Sequence, residues 1–389
     1  MRWTTPCLVG VFAALSGCTG AAEPSTGVDS GTADTPGWTA PDGWGPYGVG
    51  LTTVTWTDPR GKELTADVWY PAITDADDVP ARYEPFTLTL DAVRDAQPDV
   101  RGGPHPLVAF SHGFAAIRFQ SAFLMEHLAS HGWVLVAPDH ERNTFLDIDP
   151  DATGAVVVER PGDIRAAVDH LLSWSEARDD GWAGLVDGSR YVMMGHSFGA
   201  LTTLVVGGGT VDLRHIRDMC GSGAVDSMAC QFIDDIDPEG IVGTVEADPR
   251  AELIVPLSPG VWYGFGREGE GLATAAPALV MGGTFDDTLP YESEVLPTFE
   301  ALAGPRTLAT FEGAGHYVFS DICLIAPFIT QECEGGDGWI ELGPAQDVTR
   351  ALVAAWLDVH FRGELRSEPW LREDGHRGVG FLSIEDRSR

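Results

Sequence analysis

Along the chain, short runs that are apolar at every position alternate with longer stretches whose apolar residues recur at helical spacing. Pro106 to Phe110, Trp133 to Ala137, Tyr191 to Met194, Leu253 to Leu257 and Ala278 to Met281 are of the first kind. A run without polar alternation is the pattern of a strand covered on both faces, and Thr307 to Glu312 adds a last strand. Of the second kind, Phe119, Phe123, Leu124, His127 and Leu128 form one helical face that stops at His131-Gly132. A second helix opens at Pro161 and carries Ile164, Ala167, Val168, Leu171 and Leu172, and a third, amphipathic, runs from Ala345 to Phe361. Val49 to Thr57 and Glu63 to Tyr70, joined by Asp58-Pro-Arg-Gly61, predict a leading β-hairpin. In the Pro- and Asp-rich stretch 71–105 the one expected element is a helix around Leu88 to Ala96. Strand and helix in alternation predict an α/β fold with a mostly parallel central sheet and helices on both faces.

The strand ending at Met194 runs into Gly195-His196-Ser197-Phe198-Gly199, and small or apolar residues follow to Val206. This is G-x-S-x-G between a strand and a helix, the setting in which a serine stands at the apex of a tight turn above the sheet. A Cβ two residues either side would collide with the neighbouring strand or block the turn. The helix behind Ser197 turns its N-terminal N–H groups toward the same spot, which suits an oxyanion and places the Phe198 N–H in that role. Ser197 is therefore the candidate nucleophile.

The ends of the chain read differently from its middle. Arg2, the apolar run Cys7 to Leu15 and Leu15-Ser16-Gly17-Cys18 make residues 1–18 a lipoprotein-type signal that ends at a lipidated Cys18. The competing reading is a plain signal peptide cleaved near Gly20 or Ala22. Residues 19–45, rich in Gly, Ser, Thr, Pro and Asp, read as a flexible tether. The catalytic domain is expected over 46–362, and 363–389 as a polar C-terminal tail. Residues 207–248 have no place in a minimal α/β sheet and form either a cap over the site or a surface excursion pinned by a disulfide.

A net charge of −34 argues against nucleic acid and anionic membrane surfaces as partners and leaves a lipid anchor as the one expected membrane contact. Lys62 is the only lysine. Beyond Cys7 and Cys18, four cysteines remain, an even set suited to an oxidising compartment. Three pairings are open, and Cys220–Cys230 with Cys323–Cys333 is preferred because each closes a short loop poor in regular structure. No C-x-x-C pair supports zinc, and neither metal nor cofactor is expected.

Taken in order, Ser111-His-Gly-Phe114, Ala137-Pro-Asp-His140 with Asn143-Thr144, Arg160-Pro-Gly-Asp163 and Gly195-His-Ser-Phe-Gly199 resemble the α/β-hydrolase fold. Within it they resemble the serine-dependent relatives of dienelactone hydrolase, which include platelet-activating-factor acetylhydrolases, bacterial lipases and polyester hydrolases. The resemblance covers roughly residues 48 to 362. It implies a Phe114 N–H in the oxyanion hole and a triad in the order Ser, Asp, His. The family pattern of aspartate, three residues, then proline selects Asp286, not Asp287, in Asp286-Asp-Thr-Leu-Pro290. Of the 11 histidines, the glycine-flanked His316 lies on a loop past the last strand, where the fold places its base. The position after the preceding strand, where acetylhydrolases carry their acid, reads Leu257-Ser-Pro-Gly260 without a carboxylate, which moves the resemblance toward lipases and polyester hydrolases. Trp262, just past the same strand, is expected to wall the substrate cleft. The function implied is hydrolysis of apolar or aromatic carboxylic esters, small, lipid or polymeric, through an acyl-enzyme. The alternatives are a short-chain lipid acetylhydrolase and a non-catalytic surface binding protein on the same scaffold.

Overall fold

A computed structural model describes residues 36–225, 230 and 247–387. Twelve strands form one sheet among these residues: β1 (Gly48–Thr57), β2 (Glu63–Ile73), β3 (Pro80–Arg82), β4 (Thr89–Arg94), β5 (Gln97–Pro98), β6 (His105–Ser111), β7 (Val134–Pro138), β8 (Val186–His196), β9 (Ala251–Leu257), β10 (Ala278–Gly283), β11 (Arg306–Phe311) and β12 (Leu382–Arg387). Their spatial order is β12-β11-β10-β9-β8-β6-β7-β2-β1-β4-β3, with β5 paired to β2. From β7 across to β11 the strands are parallel, while the hairpin β1–β2 and the edge strand β12 are antiparallel to their neighbours.

The parallel strands bury side chains on both faces, as their continuous apolar runs require. On one face α1 (Ala122–Ser130) and the long helix Leu342–Leu357 cover Phe110, Leu135 and Met194. On the other, α2 (Thr153–Glu176) and α3 (Phe198–Val206) cover Leu107, Val136 and Met193. The functional loops leave this sheet at the carboxyl ends of β6, β8, β10 and β11, where open α/β sheets place ligands.

Several boundaries differ from those the pattern predicts. Thr89–Arg94 is a strand, not a helix: it lies next to β1 with only Ala92 buried, the half-buried alternation of a near-edge strand. Helix α2 begins at Thr153, and Pro161 lies inside it; an Asp149-capped turn over Pro150–Ala152 starts the coil earlier than the proline suggests. Residues 363–389 are not a plain tail, because Leu382–Arg387 pairs along the whole of β11 and completes the sheet. Of the tether, residues 36–45 pack on α1 instead of hanging free. His127 and His131 Nε2 each donate, at 2.9 Å, to the carbonyls of Pro41 and Gly43, and the Gly45 N–H donates to Ser130 Oγ at 2.9 Å. The signal with Cys18 and the rest of the tether lie outside the described residues.

Of residues 207–248, the described part contributes α4 (Leu213–Gly221), capped by Asp212 and buried through Leu213 and Ile216 against the α2–α3 face. Residues 226–229 and 231–246 lie outside the described residues. The bridges Cys220–Cys230 and Cys323–Cys333 are both formed, which is the local pairing.

Candidate active site

Ser197 stands between β8 and α3 with φ 57° and ψ −118°, a conformation that L residues avoid and that the surrounding structure must hold in place. Its N–H donates to Leu257 O at 2.9 Å, tying the turn to the end of β9. The two glycines of the motif are required by contact. A Cβ on Gly199 would stand 1.9 Å from Ser111 O, and one on Gly195 2.3 Å from Gly199 O.

Past β10 and β11, two loops bring Asp286 and His316 together. His316 Nδ1–H donates to Asp286 Oδ2 at 2.7 Å, while Asp286 Oδ1 accepts the N–H groups of Thr288 (3.0 Å) and Leu289 (2.7 Å). Both side chains are buried, so the carboxylate is fixed by three donors and the imidazole has its proton held on Nδ1. A cavity of about 410 Å³ opens beside them, lined by Ser197, His316, Phe114 and an apolar wall that includes Ile117, Ile325 and Ile329. Phe198 is the first residue of α3, and its ring lies 6.3 Å from that of Phe114. Trp262 stands outside the lining of this cavity: its indole N–H donates to Ser293 O at 2.9 Å, and its ring packs on the α2–α3 side. The aromatic part of the wall comes from Phe86, Phe114, Phe145 and Tyr317 instead.

A chain of hydrogen bonds joins the three loops. Gly113 N–H donates to Gln120 Oε1 (2.7 Å), Gln120 Nε2 donates to His196 Nδ1 (2.8 Å), and His196 Nε2–H donates to His316 O (2.8 Å). Burial pushes His196 down to about 3, so its ring is neutral and can accept at one nitrogen while donating at the other. The variable position of the pentapeptide thus ties the Ser111–Phe114 segment to the loop that carries His316.

Beneath the Ser111–Phe114 segment lies a second network. Asp163, fully buried, accepts from Arg60 Nη2 (2.7 Å), Lys62 Nζ (3.0 Å) and His140 Nδ1 (2.9 Å). His140 Nε2 in turn accepts from Ser111 Oγ (2.9 Å), and the His140 N–H donates to His112 Nε2 (3.1 Å). Burial, reinforced by Arg160, holds both imidazoles well below their usual range. Arg160 Nη2 donates to His112 O and to Gly113 O, and its guanidinium lies 4.3 Å from the Phe198 ring centroid. The sequence motifs contain His140, Arg160 and Asp163 but do not reveal Lys62 as the partner of Asp163, nor Gln120 as the link between Gly113 and His196. The available signal for Lys62 was its being the sole lysine, immediately after a hairpin turn whose Asp58 accepts the N–H groups of Arg60 and Lys62. Among the described residues no group of three or more His, Cys, Asp or Glu side chains is placed to hold a metal ion.

Comparison with known proteins agrees with this architecture. The family model of platelet-activating factor acetylhydrolase, isoform II, matches residues 83–146. The cutinase est1 of Thermobifida alba is 31% identical over 267 residues, covering 66% of this chain and 69% of that protein. The cutinase est2 of the same organism is 26% identical over 267 residues, covering 66% of this chain and 68% of its own length. A ferulic acid esterase structure from Streptomyces cinnamoneus superposes with a TM-score of 0.53 at 23% identity, covering 81% of this chain and 90% of that one, and shares the fold. Sheet, elbow and relatives together define a carboxylic-ester hydrolase of the α/β-hydrolase class. Within that class the chain belongs to the family of serine esterases that contains the Thermobifida cutinases.

Proposed function

We propose that Ser197, His316 and Asp286 form the catalytic triad of an exported esterase that cleaves apolar or aromatic esters through an acyl-enzyme. The observation that carries the reading is the 2.7 Å contact from His316 to Asp286 at the wall of the cavity that exposes Ser197. His316 takes the Ser197 proton through Nε2 as Oγ attacks the ester carbonyl, and Asp286 holds the ring and stabilises the imidazolium. The N–H groups of Phe114 and Phe198 receive the developing oxyanion. Collapse of the tetrahedral species expels the alcohol, protonated by His316, and water activated by the same ring then hydrolyses the acyl-enzyme.

Substrate class follows from the wall. Phe86, Phe145, Ile325 and Ile329 offer apolar contact to an acyl or aryl group, and Leu146, Leu324 and Phe328, each adjacent in sequence to one of these wall residues, are exposed apolar side chains. This favours lipid-like or polymeric esters presented at a surface. The acetylhydrolase match over residues 83–146 favours a second reading, a short acyl group on a larger lipid. Export fits the two disulfides, and the lipidation of Cys18 would keep the enzyme at a membrane. A p-nitrophenyl ester chain-length series run beside a polyester film separates the two substrates. Fluorophosphonate labelling that persists in Ser197→Ala would refute the nucleophile assignment.

A further inference from the structure

One half-buried carboxylate outside the residues assigned above grips the backbone of His316. Glu332 lies in the short turn Gln331–Glu334, where its Oε2 accepts the His316 N–H at 2.9 Å and its Oε1 the Tyr317 N–H at 2.6 Å. These are the first two N–H groups of the turn His316–Phe319, whose N-cap, Gly315, has no side chain to satisfy them. A Cβ on Gly315 would stand 2.3 Å from Glu332 Cδ, so the glycine before the histidine admits the carboxylate. The same stretch braces the acid loop as well. Trp339 packs edge-on against Phe285, the neighbour of Asp286, with ring centroids 5.5 Å apart, and the Ile340 N–H donates to Gly313 O at 3.0 Å. Cys333, beside Glu332, is bonded to Cys323 in the short helix Ile322–Ile325, which supplies part of the cavity wall.

We infer that Glu332 is a positioning residue for His316: its carboxylate fixes the backbone that carries the base and sets a negative charge beside the imidazolium formed during acylation. The inference rests on the triad reading above. The charged groups that act on Glu332 are His316, which favours its ionised form, and Asp286, which opposes it; Tyr317, whose N–H it holds, feels its charge in return. Burial pushes the carboxyl up to about 7 despite its two backbone donors, so its charge changes within the pH range in which esterases are assayed.

Two variants separate the roles of charge and reach. Glu332→Gln keeps the size of the side chain but loses the charge and turns an NH2 group toward one backbone donor; Glu332→Asp keeps the charge but falls short of the two N–H groups. On p-nitrophenyl butyrate, Glu332→Gln is expected to lose about 10- to 100-fold in kcat with KM within about twofold, since misplacing a catalytic group acts on the chemical step. The acid limb of its kcat/KM profile moves to lower pH, because the imidazolium has lost a neighbouring anion. Glu332→Asp loses kcat but keeps the acid limb at the wild-type position. Thermal melts establish that each variant is folded. Wild-type kcat in Glu332→Gln, or a reduced kcat with an unmoved acid limb, overturns the inference. Should Glu332→Gln not fold, Glu332→Asp decides it, an unchanged kcat counting against. A wild-type enzyme without esterase activity would refute the triad reading instead, so the two failures are distinct.

Discussion

Gln120 links the oxyanion-side loop to the elbow, and replacing it by methionine, of similar length, tests whether that link sets the geometry of catalysis. The substitution removes the acceptor of the Gly113 N–H and the donor to His196 Nδ1, two bonds of 2.7 and 2.8 Å, and keeps the bond from His196 to His316 O. Gln120 is almost fully buried, so both orphaned groups bear a desolvation cost. At about 1–3 kcal/mol for each unsatisfied group, the loss of stability should be about 2–6 kcal/mol. Gly113 precedes Phe114, so relaxation of Gly113 also displaces the proposed oxyanion N–H, and kcat should fall about 10- to 100-fold. Urea denaturation followed by tryptophan fluorescence reads the first quantity, and p-nitrophenyl butyrate kinetics reads the second. A folded variant that loses less than about 1 kcal/mol and keeps kcat within about twofold would refute the idea that this chain of bonds carries the geometry.

Asp163→Ala leaves Lys62 buried without its main counter-charge and should cost about 3–5 kcal/mol, whereas Lys62→Met, which leaves Asp163 bonded to Arg60 and His140, should cost about 1–3 kcal/mol; equal losses in urea denaturation would contradict the assignment of Asp163 as the hub. Gly199→Ala puts a methyl group 1.9 Å from a backbone carbonyl that cannot yield, so fluorophosphonate labelling of any soluble product should be lost. His127 is buried and pushed down to about 3, so below pH 6.5 the unfolded chain takes up a proton that the folded chain does not, and stability falls as pH falls. Relative to His127→Gln, the wild type should lose up to about 1.4 kcal/mol per pH unit between pH 6 and 4, and a constant gap between the two would be the contrary result. Phe328, 84% exposed and next in sequence to the wall residue Ile329, should matter only at a surface: Phe328→Ser is expected to slow release from a polyester film and leave p-nitrophenyl butyrate hydrolysis unchanged.

What the sequence makes legible here is whatever depends on short-range pattern. The buried strands have no polar alternation to confuse them, and Gly195, Ser197 and Gly199 declare the elbow because van der Waals contact leaves no alternative residue. Leu382–Arg387 is hidden because an edge strand with one buried side chain looks like any polar segment, and Thr89–Arg94 for the same reason. Glu332 is silent for another cause. Its function arises from two backbone N–H groups far off in sequence, and a glutamate in a charged stretch is indistinguishable from the many that face solvent. Trp262 shows the opposite error, in which a residue type suited to a cleft is drawn away by a hydrogen bond to Ser293 that the sequence does not reveal. Residues 36–45 look like the rest of a tether until His127 and His131 supply donors for their carbonyls.

Lys62, whose side chain is only 10% exposed and whose ammonium is held by Asp163 and Glu159, is the chain's single lysine. Amine-directed chemistry therefore has no lysine to attack on the surface of the folded enzyme. Dyes, cross-linkers and activated supports that rely on lysine will leave the native side chains untouched, and immobilisation has to go through the plentiful carboxylates. The same scarcity turns Lys62 into a native reporter: its acylation by a small activated ester, which expels the ester's leaving group, registers each opening of the hub under the Ser111–Phe114 segment, without any engineered label.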